Sequence, residues 1–218
     1  MLYENELNAV QTKIEEIGNG LVEANKAILD ALQECNHDQF VDAKTYIKNM
    51  SSKTNDIDND IIKILALYSP EARDLRQVVS YLKITNELNR AVANTRSFIK
   101  GFIDVCSQTD VKIVKEYAIP MQRSTVKAIK ITVDMLSIEC EDELRDLLND
   151  VVIEESKTDD LYEIVEKSLV KQASKSDDFE TFHNMLKALR KSEKIADRAI
   201  SIANLILYIK VGGAFHTK

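Results

Sequence analysis

Apolar residues recur at alternating steps of three and four along almost the whole chain, and this spacing is typical of amphipathic α-helices. The 218 residues include only five glycines and two prolines. That is too few for the closely spaced turns that an all-β fold needs. The sequence therefore predicts an all-α fold, in which long antiparallel helices form up-down bundles.

The pattern divides into about six long helices joined by short polar breaks. The first predicted helix covers residues 4–35, the second ends at Tyr68 and the third covers 70–105. The fourth ends at Ile138, and Pro120 lies in it or just before it. The fifth covers 141–173 and the sixth covers 176–209. Ser69, Pro70 and Glu71 are typical of a helix start, because serine caps free amides and proline suits the first turn. The polar residues 108–110 lie near the midpoint and predict two domains of three helices each, 1–108 and 109–218.

Charge and cysteine content exclude several classes of protein. The chain has 29 basic and 36 acidic residues, a formal net charge of −7, which disfavours binding to nucleic acid through phosphate neutralisation. No signal peptide pattern and no apolar stretch of about 18 residues occurs. Cys35, Cys106 and Cys140 are odd in number and far apart, which favours a reducing compartment over a disulfide framework or structural zinc. We expect a soluble cytoplasmic protein without membrane insertion.

Two pairs of acids interrupt the apolar stripes of the last two predicted helices. Glu155 and Asp159 lie on the stripe of the fifth helix, and Glu193 and Asp197 lie on that of the sixth. Residues four apart project from one helix face on successive turns. The stripes are Leu144, Leu148, Val151, Glu155, Asp159, Tyr162, Val165, Leu169 and Phe182, Leu186, Leu189, Glu193, Asp197, Ile200, Ala203, Leu207. The four carboxylates are therefore expected to face the interior between neighbouring helices.

Carboxylates in such a place need a positive partner, because burial of an unpaired charge is unfavourable or raises the pKa. Basic residues at 157, 190, 194 and 198 are close in sequence, but most of them lie off the stripe. The other partner is a cation with oxygen ligands, and an all-carboxylate site favours iron, manganese, magnesium or calcium over zinc. The alternative is that both pairs are ordinary solvated helix faces.

Other candidate sites are weaker. Glu180 and His183 have the ExxH spacing of ferritin-like di-iron proteins, but that chemistry needs two such units and the chain has only three histidines. His37 and His216 are expected to be exposed. The sequence contains no glycine-rich phosphate loop, no GxSxG and no HExxH. We therefore do not expect an enzyme.

Three segments resemble the PhoU family of phosphate-uptake regulators. Residues 155–163 are similar to the second-repeat motif of that family, and residues 193–199 (EKIADRA) to its E-R-I-(G/A)-D-x-A signature, with Lys194 in place of arginine. Residues 65–70, 74–76 and 82–84 resemble the first-repeat segment. The resemblance implies two tandem three-helix bundles whose acidic motifs hold a multinuclear metal cluster.

The same resemblance implies a non-catalytic cytoplasmic regulator that restrains phosphate uptake and phosphate-starvation signalling. Its partners would be the ATPase subunit of the phosphate ABC transporter, in bacteria a sensor histidine kinase, and a second copy in a homodimer. The first half departs from the family pattern, because Ile47, Ser51, Asn89 and Ala93 occupy the acidic positions. Asp56, Asp58 and Asp60 are close by, but their spacing of two predicts solvated side chains.

The prediction is thus asymmetric, with a neutral first bundle and a metal site of iron, manganese or magnesium in the second. Two alternatives stay open. One is a metal-free helical scaffold, a paralogue that binds a transporter or kinase partner. The other is a ferritin-like iron oxidoreductase.

Overall fold

The computed structural model describes residues 2–103, 111–173 and 179–212, and the regular structure in these ranges is entirely helical. The helices are α1 (Leu2–Glu34), α2 (His37–Ala43), α3 (Met50–Tyr68), α4 (Ala72–Ile103), α5, α6 (Glu141–Ala173) and α7 (Phe179–Val211). Helix α5 is continuous through Val111–Ile113, a π-helical turn at Val114–Ala118 and Ile119–Asp134, and it ends in the 3₁₀ turn Met135–Ser137. The predicted all-α fold is confirmed.

The second predicted helix is in fact two helices. Asn36 caps α2, because its side-chain oxygen accepts from the backbone N–H of Asp38 at 3.0 Å. A 3₁₀ turn at Lys44–Ile47 ends this short helix, and Asn49 then adopts a left-handed backbone with φ of 59° before α3 begins. Asparagine tolerates that conformation better than most residues, so the chain changes direction there.

Both prolines act on helix geometry. Helix α4 begins at Ala72, two residues later than predicted, and Ser69 lies outside α3 with φ of 44° because a following proline disfavours the right-handed helical conformation. Pro120 lies inside α5. Proline lacks an N–H and crowds the carbonyl four residues earlier, and the wider π-helical turn at Val114–Ala118 precedes it directly, so the helix continues.

The two halves pack against each other along their length. Helices α1, α3 and α4 form the first bundle and α5, α6 and α7 the second, with α1 against α5 and α4 against α7. Ile14, Ile84, Ile129 and Ile195, one from each of these four helices, face the same interior space. The buried apolar residues of both halves form one cluster. The predicted boundary at residue 108 lies outside the described residues.

A hydrogen-bonded polar network crosses the interface between the halves. Gln122 on α5 donates to the Asn25 side chain on α1 at 2.9 Å and accepts from the Ser192 hydroxyl on α7 at 2.9 Å. Asn25 donates to Thr95 on α4 at 3.2 Å, and Thr125 pairs with Ser192 at 2.9 Å. All five side chains have a relative exposure of 0%. Each of these buried side chains therefore has at least one hydrogen-bond partner on another helix.

The cysteines differ from the sequence-based interpretation. Cys35, directly after α1, is disulfide-bonded, so the expectation that the chain lacks such bonds is wrong at this position. Cys140 is a free thiol exposed between α5 and α6. As for the membrane, none of the helices in the described ranges is both long enough and apolar enough to cross one.

Candidate metal centre

Helices α6 and α7 are packed neighbours, and the two acid pairs lie where their apolar stripes meet. Val151 and Val165 on α6 are fully buried, and so is Leu189 on α7. These residues hold the helices together on both sides of the acids. Glu155 and Glu193 are buried between these apolar layers, as the stripes predicted, whereas Asp159 is exposed and Asp197 is only half-buried.

Three of the four predicted acids come together. One carboxylate oxygen from each of Glu155, Asp159 and Asp197 lies within 4.8 Å of the other two. Glu155 is 4% exposed, Asp197 is half-buried and Asp159 is exposed, so the group opens to solvent on one side. Oxygen-only ligands with one open side suit a hard cation that keeps part of its water shell.

Glu193 lies apart from this group. Its Oε1 is 3.2 Å from the Arg190 guanidinium and 3.3 Å from the Lys194 ammonium, whereas its buried Oε2 has no hydrogen-bond partner. Burial, and next the charge of Asp197, raises the pKa of the Glu193 carboxyl to about 7, although the two cations oppose this. Glu193 is therefore a poorly neutralised acid one helical turn from the three-oxygen group.

Basic side chains reach the acids to a greater extent than the sequence indicated. Lys194 Nζ lies 2.7 Å from Asp197 Oδ2, and Arg198 is 3.8 Å from the same carboxylate while it pairs with Glu87 on α4 at 2.8 Å. Long side chains that start off a stripe can bend onto it. The Arg190 guanidinium also lies over the Tyr162 ring, 4.8 Å from its centroid. The α7 acids are thus partly neutralised by α7 itself.

Sequence patterns missed one buried acid, Glu154, which is 8% exposed. It pairs with Lys157 at 2.8 Å and with Lys127 on α5 at 3.7 Å. Burial acts to raise its pKa, but the hydrogen bonds from Lys157 and Ser124 and the charge of Lys127 leave it lowered. Helix α6 packs against α7 on one side and against α5 on another, and Glu154 lies on the side that faces α5. The apolar stripe of α6 marks only the side that faces α7, so it does not predict the burial of Glu154.

The first half has a polar groove between α3 and α4, and its described residues contain no group of three potential metal ligands. Its lining is Thr54, Asn55, Asp58, Leu82, Lys83, Thr85, Asn86 and Asn89. Asp58 is half-buried there and burial raises its pKa, so this side chain is less solvated than the spacing predicted. Asp56 is exposed as expected, and Asp60 pairs with Lys13 at 2.5 Å. Asn89 contributes a neutral amide to this lining.

The ExxH pair does not join the carboxylates. Glu180 and His183 are exposed in the first turns of α7, and the His183 ring stacks on Phe179 with centroids 5.7 Å apart. His37 is exposed as predicted, and His216 lies outside the described residues. Within the part of the chain that is described, Glu155, Asp159 and Asp197 form the single group of three potential metal ligands.

Comparison with known proteins gives a consistent result. The model of the PhoU domain matches residues 14–92. The phosphate-specific transport system accessory protein PhoU of Edwardsiella tarda is 29% identical over 220 residues, which cover 96% of this chain and 85% of that protein. The protein of the same name from Serratia marcescens is 28% identical over 217 residues, which cover 95% of this chain and 84% of that protein.

Solved structures share the fold. The crystal structure of PhoU from Pseudomonas aeruginosa has a TM-score of 0.85 at 21% identity, covering 97% of this chain and all of that one. The phosphate transport system regulatory protein PhoU from Streptococcus pneumoniae has a TM-score of 0.81 at 14% identity, covering 97% and 98%. The chain is thus similar to PhoU proteins along nearly its whole length, and the PhoU domain model matches its residues 14–92.

Proposed function

We propose that this protein is an accessory regulator of a phosphate-specific transport system, which restrains phosphate uptake and phosphate-starvation signalling. The support is the function named for its relatives, together with alignments that cover 96% and 95% of this chain. The regulator acts without catalysis, through contacts with other proteins in the cytoplasm. Cell fractionation tests this location, and the disulfide at Cys35 makes the test informative because disulfides are rare in that compartment.

The main partner in this proposal is the ATPase subunit of the phosphate ABC transporter. Large apolar side chains are exposed on α3 and α4, and a contiguous patch of such side chains is typical of a protein contact: Ile62, Leu67, Leu75, Val79 and Leu82. A sensor histidine kinase and a second copy of the chain are further proposed partners. Co-purification tests the ATPase and the kinase, and light scattering after gel filtration tests the homodimer.

We infer that the second bundle binds one or more metal ions through Glu155, Asp159 and Asp197, while Glu193, the fourth predicted acid, lies one helical turn from Asp197 and contacts Arg190 and Lys194. The observation that carries this inference is the convergence of three carboxylate oxygens within 4.8 Å on two packed helices. A bound iron, manganese or magnesium ion would add positive charge to these three carboxylates, of which Asp197 already contacts Lys194. Metal occupancy would thereby stabilise the α6–α7 pair on which the bundle depends.

Metal analysis of protein purified without chelator tests the site. We expect metal in the wild type and its loss from the double variant Asp159→Ala, Asp197→Ala. The control is Asp146→Ala, Asp150→Ala, a pair with the same spacing of four that is exposed on α6. Added metal should also raise the melting temperature of the wild type and of the control, but not that of the site variant. Equal metal content in all three proteins would contradict the site.

A metal-free scaffold is the competing function. It is favoured by the contacts of Lys194 with Asp197 and of Arg190 with Glu193, since these cations neutralise acids without any ion. Under this alternative the ATPase co-purifies equally with the wild type and with the Asp159→Ala, Asp197→Ala variant. If partner binding depends on metal, less of the ATPase co-purifies with the variant than with the wild type.

A ferritin-like oxidoreductase has less support. Such sites use histidine ligands beside the carboxylates, and His183 is instead exposed and stacked on Phe179. Oxidation of ferrous iron at the same rate with and without the protein is the result that we expect. A faster rate with the protein would favour the oxidoreductase.

A further inference from the structure

A second polar site lies in a groove between α4 and α7, on the face of α7 that is turned towards the first bundle. Its lining is Ser97, Lys100, Gly101, Asn184, Lys187, Ala188 and Lys191. The groove has a volume of about 510 Å³, which is within the range of small-molecule sites. It is separate from the carboxylate group, which lies between α6 and α7.

The basic residues in the middle of α7 differ in whether they contact an acid. Five of them fall between positions 187 and 198. Arg190 and Lys194 contact Glu193, and Arg198 pairs with Glu87. Lys187 and Lys191 remain, and among the described residues neither has a carboxylate or hydrogen-bond partner. Like charges four apart on a helix repel each other, so this pair is unfavourable without an anion.

Helix α4 adds a third cation from the opposite wall. Lys100 is exposed and also has no acidic partner within the described ranges. The floor between the walls is narrow, because a Cβ on Gly101 would lie 3.2 Å from the Ala188 Cβ. Small residues at this crossing let the helices approach, and three ammonium groups therefore border one groove in a chain whose net charge is −7.

We propose that this groove binds a compact anion with more than one phosphate group, such as pyrophosphate. Lysine binds phosphate as a point charge, and three of them around one groove match a multivalent anion better than a single phosphate. The lining contains no large apolar side chain that could anchor a protein segment. A small hydrophilic ligand therefore fits the groove better than an acidic peptide does. The site goes beyond the proposed regulatory function and does not depend on metal.

Isothermal titration of the full chain with sodium pyrophosphate tests the proposal, after chelator treatment and at low ionic strength. We expect saturable binding to the wild type, and binding weaker on the order of tenfold or more in Lys187→Gln, Lys191→Gln, since two charge-assisted contacts are lost. The control Lys44→Gln, Lys115→Gln removes the same charge from exposed sites away from the groove and should retain wild-type affinity. Inorganic phosphate should bind more weakly than pyrophosphate.

Two results would overturn the proposal. One is an equal weakening of pyrophosphate binding in both lysine double variants, which would show a general charge effect. The other is the absence of saturable pyrophosphate binding to the wild type. Circular dichroism and thermal unfolding check that each variant is folded. The Asp159→Ala, Asp197→Ala variant should still bind pyrophosphate, so failure of the metal site and failure of the groove are distinguishable.

Discussion

At the scale of single residues, Glu193 is the acid whose surroundings oppose its charge most clearly. It is 4% exposed, and one of its oxygens has no hydrogen-bond partner. Its pKa of about 7 lies above the ordinary glutamate value of 4.5. Between these two values the folded protein binds more protons than the unfolded chain, so the free energy of unfolding falls as pH rises.

The variant Glu193→Gln should remove this pH dependence. In metal-free buffer we expect the wild type to lose stability, relative to the variant, as pH rises from about 4.5 through about 7, with no further loss at higher pH. Urea denaturation at a series of pH values measures the difference. Parallel stability curves for the two proteins would contradict the raised pKa.

The spacing of acids on apolar stripes predicted that four carboxylates meet, and three of them, Glu155, Asp159 and Asp197, do. It could not predict that Glu193 lies apart, because that depends on where the long side chains of Arg190 and Lys194 turn after leaving their own helix face. Glu154 was missed for a related reason. Its burial results from α5 covering a second side of α6, and a single stripe does not contain that information.

At the scale of helices, the close approach between α1 and the 3₁₀ turn after α2 depends on a glycine. A Cβ on Gly20 would lie 2.7 Å from the backbone oxygen of Tyr46 and would also collide with the end of the Met50 side chain. The backbone oxygen cannot move aside as a flexible side chain can. Gly20 therefore allows the chain to fold back across α1.

We expect Gly20→Ala to destabilise the protein by about 1–3 kcal/mol, the usual range for overpacking. Helix propensity alone predicts the opposite sign, since alanine is favoured over glycine by about 1 kcal/mol inside a helix. The control is Asn19→Ala, an exposed neighbour on the same helix. If urea denaturation finds Gly20→Ala more stable than the wild type, the backbone at Tyr46 can move away from α1 and the predicted collision does not occur.

Helix positions were largely predictable, because apolar periodicity extends over many turns. The division into α2 and α3 was not, because it depends on Asn49 taking a left-handed conformation and on a turn whose residues do not break the apolar pattern. The late start of α4 has a similar origin. Ser69 and Pro70 have a helix-start composition, yet the left-handed Ser69 and Ala72 delay the first turn.

At the scale of the whole molecule, the two halves are joined by buried polar side chains as well as by apolar contact. Gln122 lies at the centre of this network and bonds to Asn25 and Ser192. We expect Gln122→Leu to lower the free energy of unfolding by about 1–3 kcal/mol, because it leaves buried polar groups without partners. Its exposed neighbour provides the control Arg123→Ala.

Denaturation followed by circular dichroism and by calorimetry measures this change. We expect one transition for the wild type, since α4 and α7 share a core. A Gln122→Leu variant as stable as the wild type would mean that the network contributes nothing to stability. The extent of this contact between halves was not predictable, because a sequence divided into three helices and three helices carries no signal for how the bundles meet.

The polar network also restricts how such a chain can be recombined. Gln122 and Ser192 belong to the second bundle, whereas Asn25 and Thr95 belong to the first. A chimera that takes one bundle from a relative must therefore bring side chains whose donors and acceptors match those of the retained bundle. Replacing Asn25 alone by an apolar residue would leave the buried Gln122 amide with the backbone oxygen of residue 25 but without the side-chain acceptor, so positions 25 and 122 are constrained to change together.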